Sequence, residues 1–285
     1  MPPAGHPYSH QRIGLATIHA KERAAAPPFR RLLDAEVVVA PRVDTDQLGT
    51  FSGEIQRPDA LVETCLRKAE LAFQTLDVDC AIASEGSYGP IDRVPLKPGG
   101  VEIMAFVDRK RGVRLVETLL THHTNWRLWR FKPGDPAVPA AVKAIGFPEY
   151  GIFVMRNSDF SQPHKALKTV EEVVAAVDRE ARRSDDGLAL LIADMRAHRN
   201  PLRMKVLRAL SWKLAKRLAC LCPKCGAPGF GHIRSQRGLP CESCGEPTHW
   251  IDFEVDGCGA CGHAVARPRK DGRAAAPRRA CKSCR

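Results

Sequence analysis

Four short cysteine pairs crowd the last third of the chain: Cys222-Pro-Lys-Cys225-Gly, Cys241-Glu-Ser-Cys244-Gly, Cys258-Gly-Ala-Cys261-Gly and Cys281-Lys-Ser-Cys284. In such a turn two thiolates sit on one side of a tight loop, backbone N–H groups point at the sulfurs, and the glycine closes the turn. Two turns supply one tetrahedral site. Fifteen residues separate Cys225 from Cys241, and nineteen separate Cys261 from Cys281, spacings that suit paired knuckles. The expectation is a small metal-stabilised β module over 220–285, built as tandem zinc ribbons at 220–250 and 256–285. The first knuckle would pair with the second and the third with the fourth; crossed or nested pairing is the alternative. Four sulfurs close the shell around each of two zinc ions, so the sites read as structural rather than catalytic. Iron–sulfur ligation is the other metal chemistry this donor set admits. Cys220, His232, His249 and His263 lie nearby and read as bystanders, and Cys65 and Cys80 sit in apolar runs and read as core.

Charge sharpens this. The net formal charge is +12, but residues 1–195 carry 25 basic and 26 acidic side chains. Residues 196–219 carry eight basic and no acidic ones, and 220–285 carry eleven and six. A four-thiolate zinc site is formally −2, so two of them bring the last segment from +5 to about +1. Most of the basic residues there offset their own metal sites. No stretch approaches the ~20 apolar residues of a membrane span, so no membrane partner is expected. Residues 1–11 show no apolar signal core and read as a disordered leader. A cytoplasmic location is expected, where thiols stay reduced for metal.

The rest of the chain alternates strand and helix patterns. Strands are predicted at Arg12–Ile18, Glu36–Ala40 and Cys80–Ser84, with a helix to about Leu33 and another from Pro58 to about Gln74. Val101–Val107 and Val113–Leu120 flank Asp108-Arg-Lys-Arg-Gly112 as a hairpin. A helix follows at Pro136–Ile145, then a strand at Tyr150–Met155 and a helix at Leu167–Arg182. The fold class is therefore an α/β domain with a mixed sheet over 12–185. A helical linker is expected over 186–219, as helices at 187–198 and 201–219, with Asn200 as N-cap and Pro201 opening the second. Leu207, Leu210, Leu214, Leu218 and Leu221 line one face of that helix. Asp194-Met-Arg196-Ala-His198-Arg199-Asn200 is dense in hydrogen-bonding groups; it either fixes the helix–helix corner, the preferred reading, or closes over the α/β site.

Three polar segments follow predicted strand ends, where α/β sheets commonly bind ligands: Thr17-x-His19-x-Lys21, Asp44 to Glu54, and Ser84-Glu85-Gly86-Ser87. Lys21 and Lys68 suit phosphate; Asp44, Asp46, Glu54 and Glu85 suit Mg²⁺. Thr17, His19, Ser84 and Ser87 complete the candidate ligand set, with Lys21, Glu54 and Glu85 as catalytic candidates. The plainer reading is three surface loops with capping side chains.

The order of these segments resembles the inosine/xanthosine triphosphate pyrophosphatase superfamily. The matching pieces are Thr17/His19/Lys21, Gly49-Thr50-Phe51, Lys68-Ala69, Ser84-Glu85-Gly86 and the 101–120 hairpin, over about 110 residues. The chain departs from that pattern: His19 stands where Asn is expected, and a single Glu85 replaces an acidic pair. The resemblance implies a pyrophosphatase-like fold and Mg²⁺-dependent hydrolysis of a nucleotide or phosphoester. From RIGLATIHAKE through DMRAHRNP to CPKCGAPGFG, the chain also resembles a bacterial family known only as a domain of unknown function, which implies architecture and bacterial origin but no activity.

Two functions compete. One is a hydrolase acting on a phosphorylated small molecule. The other is a non-enzymatic adaptor for nucleic acid or protein, using the zinc ribbons and the basic helix, with Lys205, Arg208 and Lys216 on phosphates and Trp212 stacking.

Overall fold

The computed structural model describes residues 5–49, 59–90, 97–159 and 163–284. Among them, residues 8–214 form one compact unit, and 5–7 with 215–284 form a second.

The first unit begins with β1 (Arg12–Leu15), which leads into helix α1 (Glu22–Leu33). The β-branched run Glu36–Val39 returns beside β1 as β2. The two are parallel, with Ile13 opposite Val37 and Leu15 opposite Val39. Helix α2 (Leu61–Ala72) then carries the chain across β1 to β3 (Cys80–Pro90), which is also parallel to β1. β4 (Pro98–Asp108) and β5 (Val113–Thr121) finish the sheet as antiparallel neighbours, giving the order β2-β1-β3-β4-β5. This is the expected mixed sheet, parallel where helices cross over and antiparallel where a short turn suffices.

Both strands of the predicted hairpin begin or end beyond the expected residues, and β3 runs six residues past Ser84. Their pairing is continuous from Cys80 opposite Asp108 to Pro90 opposite Pro98. Neighbouring hydrogen bonds keep the polar stretch Glu85–Pro90 extended, although its composition reads as a turn.

A smaller antiparallel sheet follows. It consists of β6 (Leu128–Phe131), β7 (Ile152–Arg156) and β8 (Ala189–Ala193), in the order β6-β8-β7. Helices α3 (Val138–Ile145) and α4 (Val170–Arg183) pack on it through Val142, Ile145, Val173 and Val177. Here the sequence reading is corrected. Residues 187–198 were expected as a helix, but Ala189–Ala193 is the central strand of this sheet. A five-residue apolar run does not distinguish a buried strand from a helix segment; pairing on both sides decided it.

Helix α5 (Pro201–Leu218) begins as expected, with Asn200 Oδ1 accepting from Arg203 N at 3.0 Å. Leu207, Leu210, Leu214 and Leu218 are buried, whereas Leu221 is exposed. The helix is more than a linker, because its first turns belong to the core of the first unit. Arg203, 1 % exposed, reaches Glu102 on β4 at 2.5 Å and the Met195 carbonyl at 2.5 Å. Tyr88 also donates to Glu102, at 2.9 Å. Gly86 opposite makes room: a Cβ there would lie 2.5 Å from Glu102 Oε1. Ser211, two turns further along α5, approaches Met104 on the same face of β4. α2 covers the other face, where Cys65, Ala69 and Ala72 meet Ala81, Ala83 and Ile103.

The leader reading fails from residue 8. Tyr8 is fully buried, stacks edge-on against Phe106 at 5.0 Å and donates to Asp108 at 3.1 Å. No helix among the described residues is long and apolar enough to cross a membrane.

The second unit is a three-stranded antiparallel sheet, β9 (Gly231–Arg237), β10 (Ile251–Gly257) and β11 (Ala264–Pro268), in the order β11-β10-β9. Its small apolar cluster is Leu239, Ala276 and Ala280 with Trp250. So little apolar burial is typical of domains that need a metal to fold.

The Glu102–Arg203 pair gives a direct test of the first unit. Glu102→Ala leaves a buried guanidinium without its carboxylate and should cost about 3–5 kcal/mol in urea unfolding. Replacing both residues by Met should cost markedly less. Equal losses in the two variants would refute this account.

Candidate functional site

The eight knuckle cysteines gather into two groups of four, Cys222/Cys225/Cys258/Cys261 and Cys241/Cys244/Cys281/Cys284. The pairing expected from the sequence is corrected: first joins third and second joins fourth. The sheet explains why. β9 separates the first knuckle from the second, and seven extended residues span about 23 Å, so consecutive knuckles sit at opposite ends. Gly231 pairs with Gly257, which places the end of β10, and with it the third knuckle, beside the first. β11 then runs back, Pro268 opposite Phe253, and returns the fourth knuckle to the second.

Sulfur–sulfur distances are 3.8 Å (Cys222–Cys261), 3.7 Å (Cys225–Cys258), 3.7 Å (Cys244–Cys281) and 4.0 Å (Cys241–Cys284). A tetrahedral ion with metal–sulfur bonds of 2.3 Å has an edge of about 3.8 Å. Both groups can therefore hold a metal ion. The turn chemistry is as the sequence implies: Gly226, Gly245 and Gly262 have φ of 72°, 75° and 69°, and each donates its N–H to the carbonyl of the first cysteine in its knuckle. The Ser243 N–H lies 3.4 Å from Cys241 Sγ and leads the effects that lower this thiol to about 7, so it is partly ionised before any metal arrives. His232 pairs with Glu254, His249 bonds the Ala280 carbonyl and His263 stacks on Phe230; none joins either group.

The first unit brings together a different set of residues. In a sheet ordered β2-β1-β3, connections leave β1 and β3 in opposite directions, and the crevice at their carboxyl ends is where ligands bind. Lys21 lies there, its Nζ donating to the Ser84 carbonyl of β3 at 2.8 Å. Lys68, from α2, pairs with Glu85 at 2.7 Å. Arg203 and Glu102 occupy the opposite face of β3. All five charged side chains are between 0 and 8 % exposed. They comprise three cations and two anions. Burial pushes the Lys21 ammonium down to about 8, helped by repulsion from Arg203 and opposed by Glu85. Cys65 and Cys80 are core as expected; burial raises both thiols to about 12.

The loops around this cluster contribute further polar groups. Thr17 Oγ1 accepts from His19 N at 3.1 Å, and the next residue, Ala20, has a left-handed φ of 54°. His19 Nε2 lies 3.4 Å from Asp46 Oδ1, and its ring stacks on His198 at 5.0 Å. Burial lowers His198, and His19 adds to the effect. Asp44 is exposed and accepts from Asp46 N at 2.9 Å. Ser84 is buried, whereas Ser87 is exposed. Thr17 and Asp44 also line an open cleft of 420 Å³ with Ile18, Ala40, Arg42 and Val43. Glu54, Thr50 and Phe51 lie outside the described residues.

The sequence reading missed Glu102 and Arg203 as members of this site, and preferred a purely structural role for the corner that carries His198. The corner 194–200 is held as expected, with Asp194 gripping Arg196 at 2.8 Å and Asn200 bonding Asn125 at 2.9 Å. It also delivers His198 to His19, a contact between residues 179 positions apart that no local pattern encodes.

Among the described residues, the carboxylates do not form a Mg²⁺ site on their own. Glu85 holds Lys68, Asp46 faces His19 and Asp44 caps a backbone N–H. Among the described residues, only the two cysteine groups bring three or more candidate ligands together.

A family model described as a domain of unknown function, DUF6671, matches residues 68–284. The chain belongs to this family. The DUF6671 match begins at Lys68 and takes in Glu85, Glu102, Arg203 and all eight knuckle cysteines; Thr17, His19, Lys21 and Asp46 precede it. No curated protein matches the chain.

Two predictions follow from these geometries. Cys258→Ser should abolish one metal equivalent and leave Cys222, Cys225 and Cys261 open to alkylation, with Cys241, Cys244, Cys281 and Cys284 protected. Alkylation of Cys281 and Cys284 instead would restore the sequential pairing. For Lys21, the unfolded chain keeps its proton to about 10.5 and the folded chain only to about 8. The charge therefore costs the folded state roughly 3 kcal/mol below pH 8. That cost fades between the two values. Lys21→Met should raise unfolding free energy at pH 7 by about 1–3 kcal/mol, with the gap closing as pH rises. A destabilised variant at pH 7 would contradict this.

Proposed function

We propose that the first unit binds a phosphorylated small molecule, of the nucleotide class, and hydrolyses its phosphoanhydride or phosphoester bond, and that the second unit is a structural zinc module. The observation carrying the first part is the buried cluster at the carboxyl ends of β1 and β3, with its three cations against two anions. A buried surplus cation costs free energy, and an anionic ligand removes that cost. Lys21 and Lys68 take up phosphate charge in this reading, and Glu85 sets the position of the Lys68 ammonium. The resemblance to the inosine/xanthosine triphosphate pyrophosphatases points to the same substrate class. Mg²⁺ is the metal the resemblance implies, and it would be carried by the phosphates of the nucleotide.

Zinc is the proposed metal because four thiolates in a tetrahedron suit it and the shells leave no open position. A reducing bacterial cytoplasm is the compartment this reading requires, since eight thiolates must escape oxidation.

The test is a panel of nucleoside triphosphates and simpler phosphoesters, with Mg²⁺, with Mn²⁺ and without metal. Release of phosphate or pyrophosphate is expected, reduced at least tenfold in Lys21→Met and abolished in Glu85→Gln. Inactivity across the whole panel sinks the hydrolase reading.

A second reading rests on α5. Lys205, Arg208 and Trp212 fall on one stripe of the helix, with Lys216 one turn further. The three cations are exposed and have no ion-pair partner among the described residues, whereas Lys213 is engaged by Glu117. Salt-dependent RNA or DNA binding, lost when Lys205, Arg208 and Lys216 become Gln, is its signature. Absence of binding at low salt removes it.

A further inference from the structure

His19 borders the charged cluster. It is 8 % exposed, and its Nδ1 is buried without a hydrogen-bond partner. Its other nitrogen, Nε2, faces Asp46 Oδ1 at 3.4 Å. The hydrogen bond with His19 holds the Asp46 carboxyl below its ordinary range, so Asp46 is ionised at neutral pH and can only accept. The hydrogen of the neutral imidazole is therefore on Nε2, and Nδ1 carries a lone pair. An imidazole nitrogen with no protein partner, opposite one whose hydrogen faces a carboxylate, is the arrangement of a general base once a substrate water reaches it.

Its surroundings put this base beside the cluster. Only Ala20 separates it from Lys21 along the chain, and Asp46 feels the charges of Lys68 and Lys165. The stacked His198 ring lies against it, and burial, with His19 and Arg196 beside it, lowers that second imidazole. Ser84, whose carbonyl holds Lys21, has a buried hydroxyl that is likewise without a partner. Two polar atoms without a hydrogen-bond partner thus adjoin the charged cluster.

We propose that His19 is the catalytic base of this site, taking the proton from the water that attacks a phosphate ester or anhydride, with Asp46 positioning its ring. The proposal rests on the hydrolase reading above. In the step, a water oxygen forms a bond to phosphorus and one water proton passes to His19 Nδ1. The bond from phosphorus to the leaving oxygen breaks, and its electron pair stays on that oxygen. The leaving phosphate departs as an anion whose charge Lys21 and Lys68 take up. His19 then returns its proton to solvent.

The experiment uses the full-length zinc-loaded protein and the nucleoside triphosphate turned over fastest by wild type. His19→Gln is expected to lower kcat by about 10²–10⁴-fold and to bind a non-hydrolysable analogue within about threefold of wild type. Asp46→Asn should lower kcat by at least tenfold. A long-range proton–nitrogen NMR correlation should show the Nε2–H tautomer for His19 in wild type, and loss of that bias in Asp46→Asn. Full kcat in His19→Gln overturns the base while leaving the hydrolase reading intact. So does an Nδ1–H tautomer in wild type, or a loss confined to analogue affinity. A wild-type protein inert on every nucleotide overturns both together.

Discussion

The buried pair between Arg203 and Glu102 organises the first unit. Neither side chain reaches water, so each must be satisfied inside. Glu102 accepts from Arg203 and Tyr88, and Arg203 also donates to the Met195 carbonyl. Through those bonds one guanidinium fixes α5 against β4, holds the corner 194–200 and requires glycine at 86. The corner in turn carries His198 to His19. Much of the candidate site therefore depends on an interaction on the far face of β3.

The two faces of β3 divide the work. Glu85 and Lys68 pair on the α2 side, Glu102 and Arg203 on the α5 side, and Lys21 caps the strand end between β1 and β3. Desolvation penalises every one of these charges. Lys21 carries the clearest penalty, since burial outweighs its neighbouring carboxylates. That penalty is what an anionic ligand would offset under the proposed function. The left-handed Ala20 beside it shows backbone strain at the same loop.

The second unit follows a different principle. Its sheet is short and largely polar, and its apolar cluster is small, so metal held by the two cysteine groups would take the place of a hydrophobic core. Interleaving would make such metals effective at this. One group takes knuckles that flank β9 and β10 in the chain, the other takes knuckles that flank β10 and β11, and the two lie at opposite ends of the sheet. Loss of one ion would free one end of the sheet, where sequential ribbons would lose one half and keep the other.

The eight metal-ligating cysteines and the glycines behind them were legible in the sequence, because a C-x-x-C-G turn is a local object whose chemistry is complete within five residues. So were the βα alternation, the 101–120 hairpin and the Asn200-Pro201 helix start, each set by short-range periodicity or capping. Lys21 and Glu85 were legible as residue types at strand ends, and Lys68 as part of a helix in the pyrophosphatase-like order of segments. Tertiary structure alone decided the rest. Which knuckles share a metal depends on the length of β9 and on which strand end each knuckle occupies. The identity of Ala189–Ala193 as a strand depended on its two neighbours, since an apolar run serves helix and strand alike. Arg203, Glu102 and His198 joined the site only through contacts across 75 or more positions of chain, where no local spacing carries a signal.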